Sequence, residues 1–167
     1  PPPPIHVRAI RPVVRWRSGR AGAHACTGRT AGVVVPISQC LAAERLNVSI
    51  RSASALGLTP TRALAAQVAQ SARDYGKYMQ LRTYQVFGGV SINPQISALR
   101  SGCDLLVATP GRLLDLAQQR VAALSKVQVL VLDEAAPSLD LGFIPALPTI
   151  TKLLAPRHKR PLVSAPS

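Results

Sequence analysis

Val129-Leu-Val-Leu-Asp-Glu-Ala-Ala-Pro-Ser-Leu-Asp-Leu-Gly-Phe143 decides how the rest of the chain is read. An unbroken apolar run that stops on two carboxylates, Asp133 and Glu134, is the signature of a strand buried on both faces of a parallel sheet. In open α/β sheets ligands gather at the carboxyl ends of the strands, where these two acids emerge. A carboxylate there can hold Mg²⁺, and a second can orient a water for attack on a phosphate. Taken alone, the same residues also fit a strand that ends in a solvated acidic turn.

The residues upstream repeat the pattern of strand, glycine- or proline-bearing turn, and helix. Asp104-Leu-Leu-Val-Ala108 is a second buried strand, followed by Thr109-Pro110-Gly111-Arg112. Thr at the strand end and Pro in the first helical position mark a helix start, and free N–H groups beside Arg112 offer a phosphate site. Leu81 to Phe87 is rich in β-branched and aromatic residues and ends in Gly88-Gly89, which permits a positive φ or a close backbone approach. A plain turn is the alternative. Ser91 to Leu99 reads as a helix with Ile92, Ile96 and Leu99 inward. Further upstream, Arg51 to Ala55 reads as loop and Leu56 to Thr59 as a short strand. Pro60-Thr61-Arg62 then leads into a helix reaching about Tyr78, with Leu64, Val68, Tyr75 and Met79 as its buried stripe.

The amino-terminal third is less regular. Pro1 to Pro4 open the chain extended, and Ile5 to Val14 read as a weak helix. Ala23-His-Ala-Cys26-Thr27-Gly28-Arg29-Thr30 fits a phosphate-loop spacing of small residue, four positions, Gly, basic residue and Thr. Gly28 lets backbone N–H groups approach phosphate, and the Thr30 hydroxyl suits Mg²⁺. A helix from about Thr30 to Leu46 follows, with a kink expected at Pro36. After the acidic strand, Pro145 and Pro148 predict a short or broken helix, and Arg160 to Ser167 a last short strand.

Composition sets the outer bounds. The 167 residues fit one domain, and a hydrophobic fraction of 47% with only 4% aromatics predicts a core of aliphatic side chains and Ala. Lys+Arg 20 against Asp+Glu 7 gives a formal charge of +13, which suits a polyanion such as nucleic acid, or an anionic membrane surface. Part of that charge sits in the Arg-rich segment from Arg8 to Arg20. Three cysteines, Cys26, Cys40 and Cys103, have no CxxC spacing, which argues against a disulfide frame or a zinc site and fits a reducing compartment. With no membrane-length apolar run and no signal-peptide core, the expected location is the cytoplasm. The fold expected is α/β: a mostly parallel sheet with helices on both faces and ligand-type turns along one edge.

In that order these turns resemble the first RecA-like, P-loop NTPase domain of DEAD-box RNA helicases, and from about Leu58 to Leu132 the bacterial RhlE group. The residues concerned are Pro4-Ile5-His6, Ala23 to Thr30, Pro60-Thr61-Arg62, Gly88-Gly89, Thr109-Pro110-Gly111-Arg112, Asp133-Glu134-Ala135-Ala136 and Ser164-Ala165-Pro166. The resemblance implies a domain that binds ATP with Mg²⁺ and grips RNA by its backbone, independent of sequence. His6, Ala23, Cys26, Thr27, Gly28, Arg29 and Thr30 would hold the nucleotide. Thr30 and Asp133 would serve the metal, and Asp133 and Glu134 the hydrolytic step. Pro60, Thr61, Arg62, Gly88, Gly89, Thr109, Pro110, Gly111 and Arg112 would contact RNA, and Ser164 would couple the two. A second RecA-like domain, which in the family completes the cleft, is expected as a partner outside these residues, with the chain ending before it.

The sequence also departs from the family pattern. His6 replaces the adenine-reading Gln, Arg29 the phosphate-loop Lys, Ala63 the Glu after Pro-Thr-Arg, Ala136 the last acid of the family name, and Pro166 the Thr of Ser-Ala-Thr. Arg29 is a planar fork and not a compact point charge, so it is no equivalent of Lys in a tight loop. Loss of one transition-state stabiliser costs on the order of 10²–10³ in rate, so weak or absent hydrolysis is expected. Two further readings stay open: a non-catalytic basic RNA-binding module, and a decayed helicase remnant.

Overall fold

A computed structural model describes residues 20–21, 34–35, 37–39, 41, 49–132, 143–154 and 161–164. The expected extended start, the helix at Ile5 to Val14 and the phosphate-loop segment lie outside the described residues.

Six strands make one parallel sheet: β1 (Arg20–Ala21), β2 (Ala53–Leu58), β3 (Thr83–Val86), β4 (Cys103–Ala108), β5 (Val129–Leu132) and β6 (Pro161–Ser164). Their order is β1-β6-β5-β2-β4-β3. Helices α1 (Arg62–Gly76), α2 (Asn93–Leu99), α3 (Pro110–Gln118) and α4 (Phe143–Leu153) join them, with a 3-10 turn at Leu124–Lys126 before β5. The expected parallel α/β architecture is thus the observed one.

Period-two alternation in the central strands feeds two cores. Leu56, Leu58, Leu106, Ala108 and Leu130 pack with Leu99, Leu113, Leu116, Phe143 and Ile150 on one face. Ala55, Leu105, Val107, Val129 and Val131 pack on the other with Ala65, Val68, Ala69 and Ala72 of α1 and with Val34, Ile37 and Leu41 of the upstream helical segment. Both faces are buried, which is why β4 and β5 read as continuous apolar runs.

Several element expectations need correction. β2 begins at Ala53, not Leu56: Ala53 and Ala55 are small, but both are buried in the middle of the sheet. Burial between two neighbouring strands, not propensity, makes them strand. The buried stripe of α1 is Ala65, Val68, Ala69, Ala72 and Gly76. Tyr75, expected inward, is 44% exposed. Small residues let α1 lie close on the sheet, so the large ones are turned to the rim. Its helical end is Gly76, two residues before Tyr78. The strand expected over Leu81 to Phe87 pairs only as Thr83–Val86. α4 runs unbroken for 11 residues with Pro148 inside it. Pro145 falls in its first turn, where the missing N–H has no helical partner to lose, and Phe143 and Ile150 anchor the helix across Pro148. β1 was not foreseen; two residues carry no periodicity.

Candidate functional site

The strands end flush. Leu58 pairs with Ala108 and with Leu132, Val86 pairs with Ala108, and Leu132 pairs with Val163. Adjacent strands lie about 4.8 Å apart, so the turns after β2, β4 and β3 fall within roughly 10 Å of one another. Each strand takes one further ladder bond before the chain leaves the sheet: Thr59 N–H donates to Ala108 C=O at 3.0 Å, and Thr109 N–H to Val86 C=O at 3.0 Å. Pro60 and Pro110 follow at once, and neither can donate another.

Two helices therefore start side by side. At the start of α1 the Thr61 side chain accepts from Leu64 N–H at 3.3 Å, a side-chain N-cap. Thr109 stands in the same extended conformation before α3, but its hydroxyl makes no cap bond. Neither first turn contains an acid. Both instead contain an arginine: Arg62 opens α1 and Arg112 lies in the first turn of α3. Cations are disfavoured at helix N-termini, where the exposed N–H groups already carry partial positive charge. The arrangement concentrates positive potential at two neighbouring helix starts.

The two arginines are held, and by the same turn. The Arg62 guanidinium lies 5.3 Å from the centroid of the Phe87 ring, within cation–π range. Phe87 is fixed in turn by Gln95 of α2, whose side-chain N–H₂ donates to the Phe87 carbonyl at 3.1 Å. Gly89 has φ +78°, and a Cβ there would stand 3.9 Å from Arg62 Nη1. Arg112 Nη2 donates to the Val90 carbonyl at 2.9 Å. Its Nε reaches Asp115 Oδ2 only at 4.0 Å, and the Asp115 carboxylate is largely exposed. Among the described residues Arg112 Nη1 is buried without a hydrogen-bond partner, and so is Gln95 Oε1 of α2. A buried guanidinium N–H left without an acceptor is costly unless an acceptor arrives from outside.

Pro60, Thr61, Arg62, Gly88, Gly89, Thr109, Pro110, Gly111 and Arg112 are thus gathered along three adjacent strand ends. Phe87, Gln95 and the Val90 carbonyl belong to the same cluster and were not singled out from sequence. An aromatic directly before two glycines was the available signal for Phe87; Gln95 gives none, since its role depends on how α2 folds back.

His6, Ala23, Cys26, Thr27, Gly28, Arg29, Thr30, Asp133 and Glu134 lie outside the described residues, and Ser164 is described only as backbone of β6. What the structure gives of that half is its frame. β1, which precedes Ala23 in sequence, pairs Ala21 with Ser164, and β5 ends at Leu132, one residue before Asp133. Only β6 separates those two strands.

A DEAD/DEAH box helicase family model matches residues 3–166. The chain is 36% identical over 164 residues to eukaryotic initiation factor 4A of Drosophila melanogaster, covering 98% of this chain and 40% of that protein. It is 36% identical to the ATP-dependent RNA helicase DeaD of Escherichia coli K12, covering 98% of this chain and 25% of that one. A crystal structure of a hypothetical ATP-dependent RNA helicase from Sulfolobus tokodaii superposes with a TM-score of 0.80 at 33% identity, over 96% of this chain and 45% of that chain. The chain therefore spans less than half the length of these relatives.

Proposed function

This chain belongs to the DEAD/DEAH box helicase family, and from that premise we propose that it is an ATP-binding, RNA-gripping RecA-like domain with weak or absent hydrolysis. The observation that carries the RNA half is the placement of Arg62 and Arg112 in the first turns of α1 and α3, with no acid in either turn. Two helix N-termini and two guanidinium groups converge on one strip, and the partner that satisfies them is a row of phosphates. Guanidinium groups and helix N-termini suit phosphate oxygens, which supports a grip on the backbone that is independent of sequence. Gly88 and Gly89 keep the strip open for the sugar–phosphate chain.

The nucleotide half rests on the donor set. Asp133 and the Thr30 hydroxyl are hard oxygen donors of the kind Mg²⁺ takes, and Glu134 is a second carboxylate able to orient water. Bound ATP would supply the phosphoanhydride that is split. Arg29, Ala63, Ala136 and Pro166 each stand where the family has a group of different reach or polarity, and these account for slow turnover. A second RecA-like domain would complete the cleft. No described helix is long and apolar enough to cross a membrane, and we assign the domain to the cytoplasm.

The test is binding of single-stranded RNA against salt. Replacing Arg62 and Arg112 together by Ala should lower low-salt affinity by about tenfold or more and reduce the salt slope by about 1.4, roughly 0.7 per lost phosphate contact. Unchanged binding would move the RNA site elsewhere. For the nucleotide, calorimetry with Mg²⁺–ATP should show weak binding that the triple repair Arg29→Lys, Ala136→Asp, Pro166→Thr strengthens. No heat from either protein would leave the basic RNA-binding module or the decayed helicase remnant.

A further inference from the structure

The opposite edge of the sheet, where the strands begin, is also basic. Arg51 precedes β2, Arg82 precedes β3, Arg100 precedes β4, and Arg120 lies in the turn that leads toward β5; all four are exposed. Backbone bonds tie their segments into one ledge. Ala123 N–H donates to Arg51 C=O at 2.7 Å, Cys103 N–H to Ser52 C=O at 2.9 Å, and Asp104 N–H to Arg82 C=O at 2.9 Å. Four adjacent strands, β5, β2, β4 and β3, thus start from one ledge roughly 14 Å wide at about 4.8 Å per strand. At its β3 end Tyr78 is 90% exposed, with Lys77 Nζ 5.9 Å from the centroid of its ring. Among the described residues, two acids are near this edge. Asp104 is occupied by the Arg82 backbone N–H at 2.7 Å and by Arg82 Nε at 3.5 Å, and Asp74 accepts from Gln70.

Dipole compensation at the end of α1 accounts for Arg73 and Lys77. It does not account for the backbone of this edge. The described non-glycine residues with positive φ are Arg51 (φ 60°), Gln80 (φ 54°) and Arg120 (φ 56°), and all three are in turns feeding strand starts. The equivalent turn before β4 uses Gly102, at φ 74°. Glycine is the low-strain residue at such positions. Two of the four turns hold arginine there instead, at a cost in backbone strain that a cation facing solvent does not offset within the fold.

We propose that this edge, carrying Arg51, Lys77, Tyr78, Arg82, Arg100 and Arg120, is a second contact surface for single-stranded RNA, separate from the turns at the carboxyl edge. The cations meet phosphates, and Tyr78 offers a flat exposed ring on which an unpaired base stacks. A six-residue strand spans about 20 Å, so an RNA must be long enough to pass around the sheet before it can touch both edges.

The experiment compares a short RNA of about 6 nucleotides with one of about 20, titrated against the full chain and against Arg51→Gly/Arg100→Gln/Arg120→Gly. Glycine at 51 and 120 relieves the strained backbone, so the variant should unfold no earlier than the parent. Lys77→Gln/Tyr78→Ser, which leaves those turns untouched, is the second variant. For the long RNA, the triple variant should lose tenfold or more in affinity and about 2 units of salt slope, roughly 0.7 for each of three phosphate contacts. The short RNA should be unaffected. Unchanged long-RNA binding in both variants overturns the proposal, and so does an equal loss on both lengths. Loss of binding to phosphatidylserine vesicles with RNA binding intact would overturn it in favour of a membrane surface. Failure of the short RNA to bind the parent would count against the carboxyl-edge site alone, because the long-RNA comparison still reads this edge.

Discussion

Gly88 and Gly89 are neighbours in one turn, yet they should respond to alanine in opposite directions. Gly89 has φ +78°, whereas Gly88 is not in the left-handed region. A Cβ on Gly88 would meet nothing within 4 Å, and one on Gly89 would meet only Arg62 Nη1, at 3.9 Å, an ordinary contact. Steric collision therefore contributes to neither, and the difference isolates the backbone. An L-residue held left-handed costs about 1–2 kcal/mol. Both substitutions also gain about 0.4–1 kcal/mol by restricting the unfolded chain. Gly89→Ala should destabilise by about 1 kcal/mol and Gly88→Ala should be neutral or slightly stabilising. For a chain of this size 1 kcal/mol is about 2–4 °C in Tm, so the two variants should melt about 3–6 °C apart. Thermal and urea unfolding followed by circular dichroism measures this directly. RNA affinity should fall further in Gly89→Ala, because relaxing the turn moves the Val90 carbonyl away from Arg112 Nη2. Equal melting temperatures, or a less stable Gly88→Ala, would refute the assignment of positive φ to Gly89 and with it the account of how this turn holds both arginines.

Three other outcomes follow from single residues. Burial pushes the Cys103 thiol from 9.0 up to about 12, with Asp104 adding to the effect and Arg82 opposing it. Between pH 9 and 12 the unfolded chain has lost a proton that the folded chain keeps, so stability should fall by up to about 1.4 kcal/mol per pH unit in that window and be unaffected below it. Denaturant midpoints measured from pH 8 to 11 should show this slope in the parent and a shallower one in Cys103→Ala; parallel curves would sink the idea. Thr61→Ala removes the side-chain acceptor for Leu64 N–H and should cost about 1 kcal/mol, recovered in part by Thr61→Ser and read from the same melts. Asp104→Asn weakens the bond to Arg82 N–H at 2.7 Å and discharges the half-exposed pair with Arg82 Nε. Its cost should be about 1 kcal/mol or less, since solvent screens that pair, and no measurable change in unfolding midpoint at low salt would show that the charge contributes nothing.

What was legible in the sequence was whatever has a strong local cause. Leu105 to Ala108 and Val129 to Leu132 are apolar runs too short for buried helices and bounded by turn residues, and both are central strands. Pro60 and Pro110 mark helix starts because they cannot extend a ladder, and both do. The start of β2 was not legible, because Ala53 and Ala55 have no intrinsic strand preference and are held by pairing, Ala53 with Cys103 of β4, and Ala55 with Leu105 of β4 and Val129 of β5. Tyr75 was misplaced for the complementary reason: its spacing suits a buried stripe, but the alanines of α1 lie closer to the sheet. In the site, Arg62 and Arg112 could be read from their turns, whereas the supports from Phe87, Gln95 and the Val90 carbonyl come from elements brought together only by folding.

The same separation bears on how a member of this family can lose motif residues and stay folded. Each central strand of this parallel sheet is stabilised by aliphatic contacts on both faces. Ala63, the substituted position that is described, is exposed. Burying one leucine such as Leu106 contributes about 2–5 kcal/mol by the cost of its truncation, whereas an exposed turn substitution changes stability by roughly 0.5 kcal/mol or less. On the proposed reading, hydrolysis rests on the turns and the fold on the strands, so an exposed substitution such as Ala63 leaves the sheet intact. Arg62 and Arg112 are held by Phe87 and Val90, and neither contact involves the substituted positions, so the proposed RNA grip should not depend on them. An RNA affinity in the repaired Arg29→Lys/Ala136→Asp/Pro166→Thr protein equal to that of the parent, with nucleotide binding raised, is the result this independence requires; a grip that appears only after repair would show that the two halves cannot be separated.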